Sequence, residues 1–317
     1  MASPILAIVV PCYNEQEIIQ ETIHRLTELL KTLINSNIVR QGSFICLVDD
    51  GSSDRTWELI KTYSETDNTI HGLKLSKNFG HQNALLAGLL RVKDQCDCAI
   101  SIDADLQQDE TAIPRFLEEY SKGFDIVLGV RRDRETDGLI KRGTAELFYG
   151  LMSLMGVTIV RNHADYRLLS KRALDALAQF EEGNLFLRGL IHQLGFNTST
   201  VNFDVRNRTA GISKYTFRKM LSFAFNGITS FSVVPLRVIA ALGGIFTLIS
   251  LIMSIYVVAR KFLFADAIPG WASVVLPIYL LGGIQLFSFG IIGEYIGRIY
   301  LETKRRPRFI IEDDLVN

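Results

Sequence analysis

The chain has no charge surplus: Lys+Arg number 34 against Asp+Glu 34 over 317 residues. A nucleic-acid binder gathers a basic excess, so this balance speaks against that partner. Cysteine is scarce. Cys12, Cys46, Cys96 and Cys98 include no CxxC pair, and no cluster of histidines accompanies them. They read as small core hydrophobes, and nothing in their spacing asks for an oxidising compartment. The amino end lacks the basic residues of a signal peptide. Met1-Ala2-Ser3-Pro4 runs into an apolar stretch, residues 5–10, and then Pro11-Cys12-Tyr13-Asn14-Glu15, which reads as a buried strand and its exit.

Hydrophobic side chains are plentiful, at 48% with a mean hydropathy of +0.20. The excess sits almost entirely after about residue 230. Two uncharged runs, 238–259 and 271–292, are each about 20 residues long, enough to cross a bilayer core. A short link between them predicts a hairpin with both ends on one side. Basic residues flank its outer ends: Lys214, Arg218, Lys219 and Arg237 before, Arg298, Lys304, Arg305, Arg306 and Arg308 after. They outnumber Arg260 and Lys261 in the link, so the positive-inside rule places the large domain in the cytoplasm. Glu294 is expected near that interface, one turn from Arg298. Residues 214–231 mix Phe217, Phe223, Phe225 and Phe231 with Lys214, Arg218 and Lys219. This is the texture of a helix lying in the membrane interface, and an ordinary core helix is the alternative. Gly243-Gly244 and Gly282-Gly283 offer smooth helix surfaces and the expectation of a homo-oligomer.

The first half alternates two textures. Short strand-like runs cover 5–10, 44–48, 99–102 and 125–128, and helical periodicity covers 17–30, 54–63, 82–92 and 113–120. Strands alternating with helices predict βαβ units and a mostly parallel sheet, an α/β fold. Ligands of such sheets lie at the carboxyl ends of the strands, so the residues just after each strand carry the argument. Further helices are expected at 171–180 and 185–194. The resulting organisation is a catalytic domain over 1–213, an interfacial segment over 214–231, the hairpin within 232–300 and a cytoplasmic tail over 301–317.

Three strand ends are acidic or polar: Pro11 to Glu15, Asp49-Asp50-Gly51-Ser52-Ser53-Asp54, and Asp103-Ala104-Asp105-Leu106-Gln107-Gln108. Asp103 and Asp105 stand two apart after an apolar run. Carboxylates so placed repel one another and resist burial unless a cation neutralises them. Mg²⁺ or Mn²⁺, which shares oxygen ligands with phosphates, suits such a pair, and Gln107 adds a carbonyl oxygen. Asp-Gly-Ser is also turn chemistry, and Ser53 or Asp54 suffices to cap the next helix. One of the paired acids then remains to bind a base or ribose.

These strand ends, together with Asn78-Phe79-Gly80-His81-Gln82, resemble the family 2 glycosyltransferases of GT-A fold. Within them the chain is similar to the polyprenyl-phosphate glycosyltransferases, namely the bactoprenol glucosyltransferases and the dolichyl-phosphate mannose synthases. The resemblance spans nearly the whole chain. It implies a nucleotide sugar, UDP-glucose or alternatively GDP-mannose, a divalent cation, and inverting transfer of one sugar to undecaprenyl or another polyprenyl phosphate. It also implies a bacterial plasma membrane. By position, Pro11, Tyr13, Glu15 and Asp50 resemble the nucleotide-binding residues, with Asp103 beside them. Asp103, Asp105 and Gln107 resemble the metal site. Arg131 falls in a Gly-x-Arg near phosphates. Asp165, in Asp165-Tyr166-Arg167, is implied to face the acceptor, a role that a salt bridge to Arg167 neither needs nor excludes. Arg208 and Lys214 match the ends of an R-x-x-G-x-S-K-Y loop that grips phosphates; attraction to anionic lipid is the other reading. The QxxRW motif of processive synthases is absent, since Trp57 and Trp271 are the only tryptophans, which argues against polymer synthesis. A membrane scaffold that binds nucleotide sugar without turnover is the non-enzymatic alternative, and the presence of both Asp103 and Asp105 argues against it.

Overall fold

The computed structural model describes residues 3–105, 107–131, 163–180, 187–204, eight positions between 236 and 255, and 271–316. The chain divides into two units, one of 1–150, 158–216 and 306–317, the other of 151–157 and 217–305.

In the first unit the described strands form one sheet. Along the chain they are β1 (Leu6–Cys12), β2 (Phe44–Asp49), β3 (Ile70–Leu75), β4 (Cys98–Ser101), β5 (Ile126–Arg131), β6 (His163–Ser170), β7 (Thr198–Phe203) and β8 (Ile311–Asp314). Their order is β7-β5-β6-β4-β1-β2-β3-β8. The pairs β1–β2, β1–β4, β2–β3 and β5–β7 are parallel, while β6 and β8 run against their neighbours. This is the expected mixed, mostly parallel sheet of GT-A type. Strands covered on both faces read as unbroken apolar runs, and every residue of β1 and β2 is buried.

The helices are α1 (Ile19–Asn35), α2 (Thr56–Thr66), α3 (His81–Val92), α4 (Ile113–Ser121), α5 (Lys171–Leu177) and α6 (Leu187–Gln193). In α1, Ile19, Ile23, Leu26, Leu30 and Leu33 are buried; spacings of three and four put them on one stripe against the core. Helix α3 lies tight on the sheet: a Cβ at Gly88 would come 2.5 Å from Val9 Cγ1 and 2.7 Å from Val48 Cγ2. Only glycine allows that approach, which sets where the first turn of α3 meets the strand ends. The four cysteines are buried and free, as expected of core residues.

Within residues 301–317, expected as a tail, the chain forms a strand. After a link from 304 to 310, β8 pairs antiparallel with β3 and closes that edge of the sheet. The acidic text of β8, Ile-Glu-Asp-Asp, has no apolar alternation to announce a strand; its partners hold it there.

In the second unit, the later apolar run falls within α7 (Trp271–Thr303), a helix of 33 residues, about 50 Å at 1.5 Å per residue. Among the described residues no helix is long and apolar enough to cross a membrane. The expected two-helix transmembrane hairpin is thus not among the described features of the fold. The side chains that are described on α7 include Val274, Ile278, Phe289 and Ile299, all more than half exposed. The interfacial segment 214–231, with Arg208 and Lys214, lies outside the described residues.

Candidate active site

The carboxyl ends of β1, β2 and β4 and the start of α3 enclose a cleft of about 400 Å³. Pro11, Tyr13, Glu15, Asp50, His81, Asp103 and Asp105 all line it. All residues expected to bind nucleotide therefore face one space, together with two of the three expected metal ligands. A larger cleft of about 840 Å³ lies around Pro4, Arg40 and Asp97. Pro4 and Asp97 precede β1 and β4, so that cleft is at the amino ends of the strands, away from this chemistry.

The loop after β1 is stitched to the loop after β2. Asn14, at a φ of 54°, accepts from the Ser53 N–H at 2.9 Å and donates its own N–H to Ser52 Oγ at 2.9 Å. The Glu15 N–H donates to Thr56 Oγ1 at 2.9 Å. Gly51 turns the second loop at a φ of +65°, where a Cβ would lie 2.3 Å from the Lys77 carbonyl carbon. Asp54 precedes α2 and accepts from the Thr56 N–H at 3.0 Å and the Thr56 hydroxyl at 2.6 Å; the cap position itself is Arg55, which makes no side-chain cap bond, so the cap expected of Ser53 or Asp54 is not formed.

Asp50 is the acid that reaches the cleft. Its oxygens accept from the Phe79 N–H at 2.7 Å and the Gly80 N–H at 2.9 Å. Burial raises its carboxyl above the ordinary range, while these two amides and His81 draw it down. Asp49 is fully buried behind it and accepts from the Ser52 N–H at 3.2 Å. Burial raises Asp49 as well.

Asp103 sits at the centre of the charged cluster. Burial above all pushes its carboxyl up to about 6; His81 and Arg131 oppose the rise, and Asp165 and Asp105 add to it. His81 Nε2 lies 3.5 Å from Asp103 Oδ1 and 3.9 Å from Asp165 Oδ2. Asp165, on β6, forms an ion pair with the fully buried Arg167, so the salt bridge weighed from the sequence is present. Arg131 ends β5 and is exposed.

Two residues of this cluster escaped the sequence reading as site members. His81 was visible only as part of a motif. Gln108 is buried and its side chain contacts Asp103 at two points, whereas the neighbouring Gln107 was expected to serve the metal. Gln107 instead donates its backbone N–H to Asp105 Oδ1 at 3.1 Å and does not line the cleft. Successive residues at a turn point in different directions, and a Gln-Gln pair leaves that choice to the backbone.

Residues 7–178 match the glycosyl transferase family 2 profile, and residues 234–299 match the GtrB C-terminal hairpin. The chain is 50% identical over 316 residues to YkoT of Bacillus subtilis, described as an uncharacterized glycosyltransferase, covering 100% of this chain and 94% of that one. It is 38% identical to the bactoprenol glucosyl transferase of Shigella phage SfX, covering 97% and 98%. It is 36% identical to the prophage bactoprenol glucosyl transferase homolog of Escherichia coli K12, again covering 97% and 98%. With strand-end motifs, sheet order and cleft in agreement, the chain belongs to glycosyl transferase family 2 and is a hexosyltransferase.

Proposed function

We propose that the enzyme moves one glucose from UDP-glucose to undecaprenyl phosphate, with inversion, at the cytoplasmic face of a bacterial plasma membrane. The observation that carries this reading is that one cleft is lined by Pro11, Tyr13, Glu15 and Asp50 together with Asp103 and Asp105, in a chain that aligns along nearly its full length with bactoprenol glucosyl transferases. The match of 234–299 to a C-terminal hairpin and the exposed apolar side chains of α7 support a membrane-seated second unit. Two helices crossing near 238–259 and 271–292 would bring a lipid-borne acceptor to the catalytic domain.

Asp103 and Asp105 fit a divalent cation. The donors are all oxygens, and their mutual repulsion is part of what lifts Asp103. Mg²⁺ or Mn²⁺ held there by Asp103 and Asp105 would share its oxygen ligands with a diphosphate. Bound there, the cation would supply neutralisation of the leaving diphosphate.

The chain's own residues do the rest. Asp50 and Tyr13 hold the nucleoside end of the donor and fix the sugar over Asp103. An oxygen of the acceptor phosphate attacks the anomeric carbon from the face opposite the diphosphate. The bond from that carbon to the diphosphate oxygen breaks, and the nucleoside diphosphate leaves with the electron pair. A phosphomonoester has a second pKa of about 6 and is largely dianionic at neutral pH, so no strong base is needed. Asp165 then orients Arg167 and the acceptor rather than removing a proton. Arg131, with Arg208 and Lys214 from the sequence beyond β7, offsets repulsion between the two phosphate groups.

The test is transfer of radiolabel from a panel of nucleotide sugars, including UDP-glucose and GDP-mannose, into undecaprenyl phosphate by the purified enzyme. Label from UDP-glucose alone is expected; label from GDP-mannose alone would replace the donor.

A further inference from the structure

The edge strand β8 comes from the far end of the chain, beyond the whole second unit. Its grip on the sheet is specific. β8 pairs with β3 through Leu73–Asp314, Lys74–Asp313 and Leu75–Ile311. The Ser76 N–H donates to the Ile310 carbonyl at 2.9 Å, and the Leu315 N–H donates to the Gly72 carbonyl at 2.8 Å. Lys74 Nζ meets Glu312 at 3.1 Å. Arg91, in the last turn of α3, donates through Nε to Asp314 Oδ2 at 2.7 Å and through Nη2 to the Val316 carbonyl.

One of these contacts, at Ser76, falls at the start of the connection that leads from β3 into α3. β3 enters it at Ser76, and α3 leaves it at His81. Between them, the amides of Phe79 and Gly80 carry Asp50, and Asn83 Nδ2 donates back to the Phe79 carbonyl at 2.8 Å. Asn78, Gly80 and His81 themselves line the cleft. Without β8 the outer edge of β3 would be unpaired, and an unpaired edge strand frays. Fraying at Ser76 would pass directly into the loop that fixes Asp50.

We propose that β8 is a positioning element for the donor cleft. The Ile310 carbonyl acts through Ser76 to hold residues 76–81 in register with Asp50, while Asp314 and Arg91 fasten β8 to the far end of α3. Because β8 follows α7 in the chain, the donor site is complete only once the second unit has been made. The inference rests on the reading of the cleft as the donor site, but its first test does not use a substrate.

The experiment compares the full chain with a variant lacking residues 310–317 and with Asp314→Asn. Amide hydrogen exchange is measured at Phe79 and Gly80 and, as internal reference, at Val9 and Val48. Donor and acceptor KM are measured beside it. The deletion is expected to speed exchange at Phe79 and Gly80 roughly tenfold, with Val9 and Val48 unchanged. Donor KM should rise about as much with acceptor KM unchanged, and Asp314→Asn should shift both quantities in the same direction by about threefold. Equal acceleration at all four amides would make β8 a general stabiliser and overturn the proposal, as would no change. Should the deletion variant fail to fold, Asp314→Asn decides alone, and wild-type exchange at Phe79 and Gly80 in it overturns the proposal. Altered exchange with an unaltered donor KM would leave β8 as the holder of the Asp50 loop and sink the donor reading instead.

Discussion

Gln108 closes a ring on Asp103: its Nε2 donates to Asp103 Oδ2 at 2.6 Å, and its Oε1 accepts from the Asp103 N–H at 3.1 Å. The ring fixes the carboxylate plane at the centre of the cleft. A hydrogen bond to a charged group is worth about 1.5–3 kcal/mol. Gln108→Ala should therefore slow transfer roughly 10- to 150-fold, while the protein remains folded by circular dichroism. Wild-type kcat in that variant would mean that Asp103 needs no such support.

The cation is tested by removal. Chelation should abolish transfer, and Mg²⁺ or Mn²⁺ should restore it. Asp105→Ala should lose activity by two orders of magnitude or more, about 2.7 kcal/mol of barrier, with an unchanged thermal melt. Full activity in excess chelator would refute the metal assignment.

Protonation of Asp103 gives a stability signature. Burial lifts this carboxyl from 3.8 to about 6. A raised folded pKa means that the protonated form favours the folded state. That contribution is complete below the ordinary carboxylate range and is lost as pH rises through about 6. In the absence of divalent cation, the Tm difference between wild type and Asp103→Asn should move against wild type between pH 4 and pH 7. Parallel Tm curves across that range would show that the shift is not present in solution.

Gly51 and Gly88 set the frame of the cleft by close approach. Gly51→Ala places a methyl 2.3 Å from the Lys77 carbonyl carbon at a φ of +65°. The backbone strain alone is of order 1–3 kcal/mol, and the clash adds to it. Denaturant melts should show a loss of about 2 kcal/mol or more for Gly51→Ala, with donor affinity falling as well because the Asp50 loop must move. Gly88→Ala should cost a similar amount. Wild-type stability in both would contradict the packing described.

Much of this site was legible in the sequence because its parts sit at the ends of apolar strands. β1, β2, β4 and β5 are central or well covered, so their text is an apolar run, and the motif after each was readable in order. β6 was not legible: His-Ala-Asp-Tyr-Arg-Leu-Leu-Ser contains Arg167, fully buried through its pairing with Asp165, and a partner across one turn of strand leaves no hydropathy signal. β3 is interrupted by Gly72, which admits Ile60, Trp57 and Leu315 close against the strand. β8 is acidic and becomes a strand only because Lys74 and Arg91 meet it. In each case the missing information is a contact between residues distant in sequence. Gln108 belongs to the same class, since only the turn after β4 decides which of two glutamines meets Asp103.

The central claim is that one sugar passes from a nucleotide donor to a polyprenyl phosphate. Mass spectrometry of the lipid fraction, after incubation of the purified enzyme with undecaprenyl phosphate, UDP-glucose and Mg²⁺, tests it most directly. The lipid phosphate should gain a single hexose, with UDP released in equal amount and neither product formed by Asp105→Ala. UDP release with an unchanged lipid mass, or a lipid bearing several hexoses, would contradict the account.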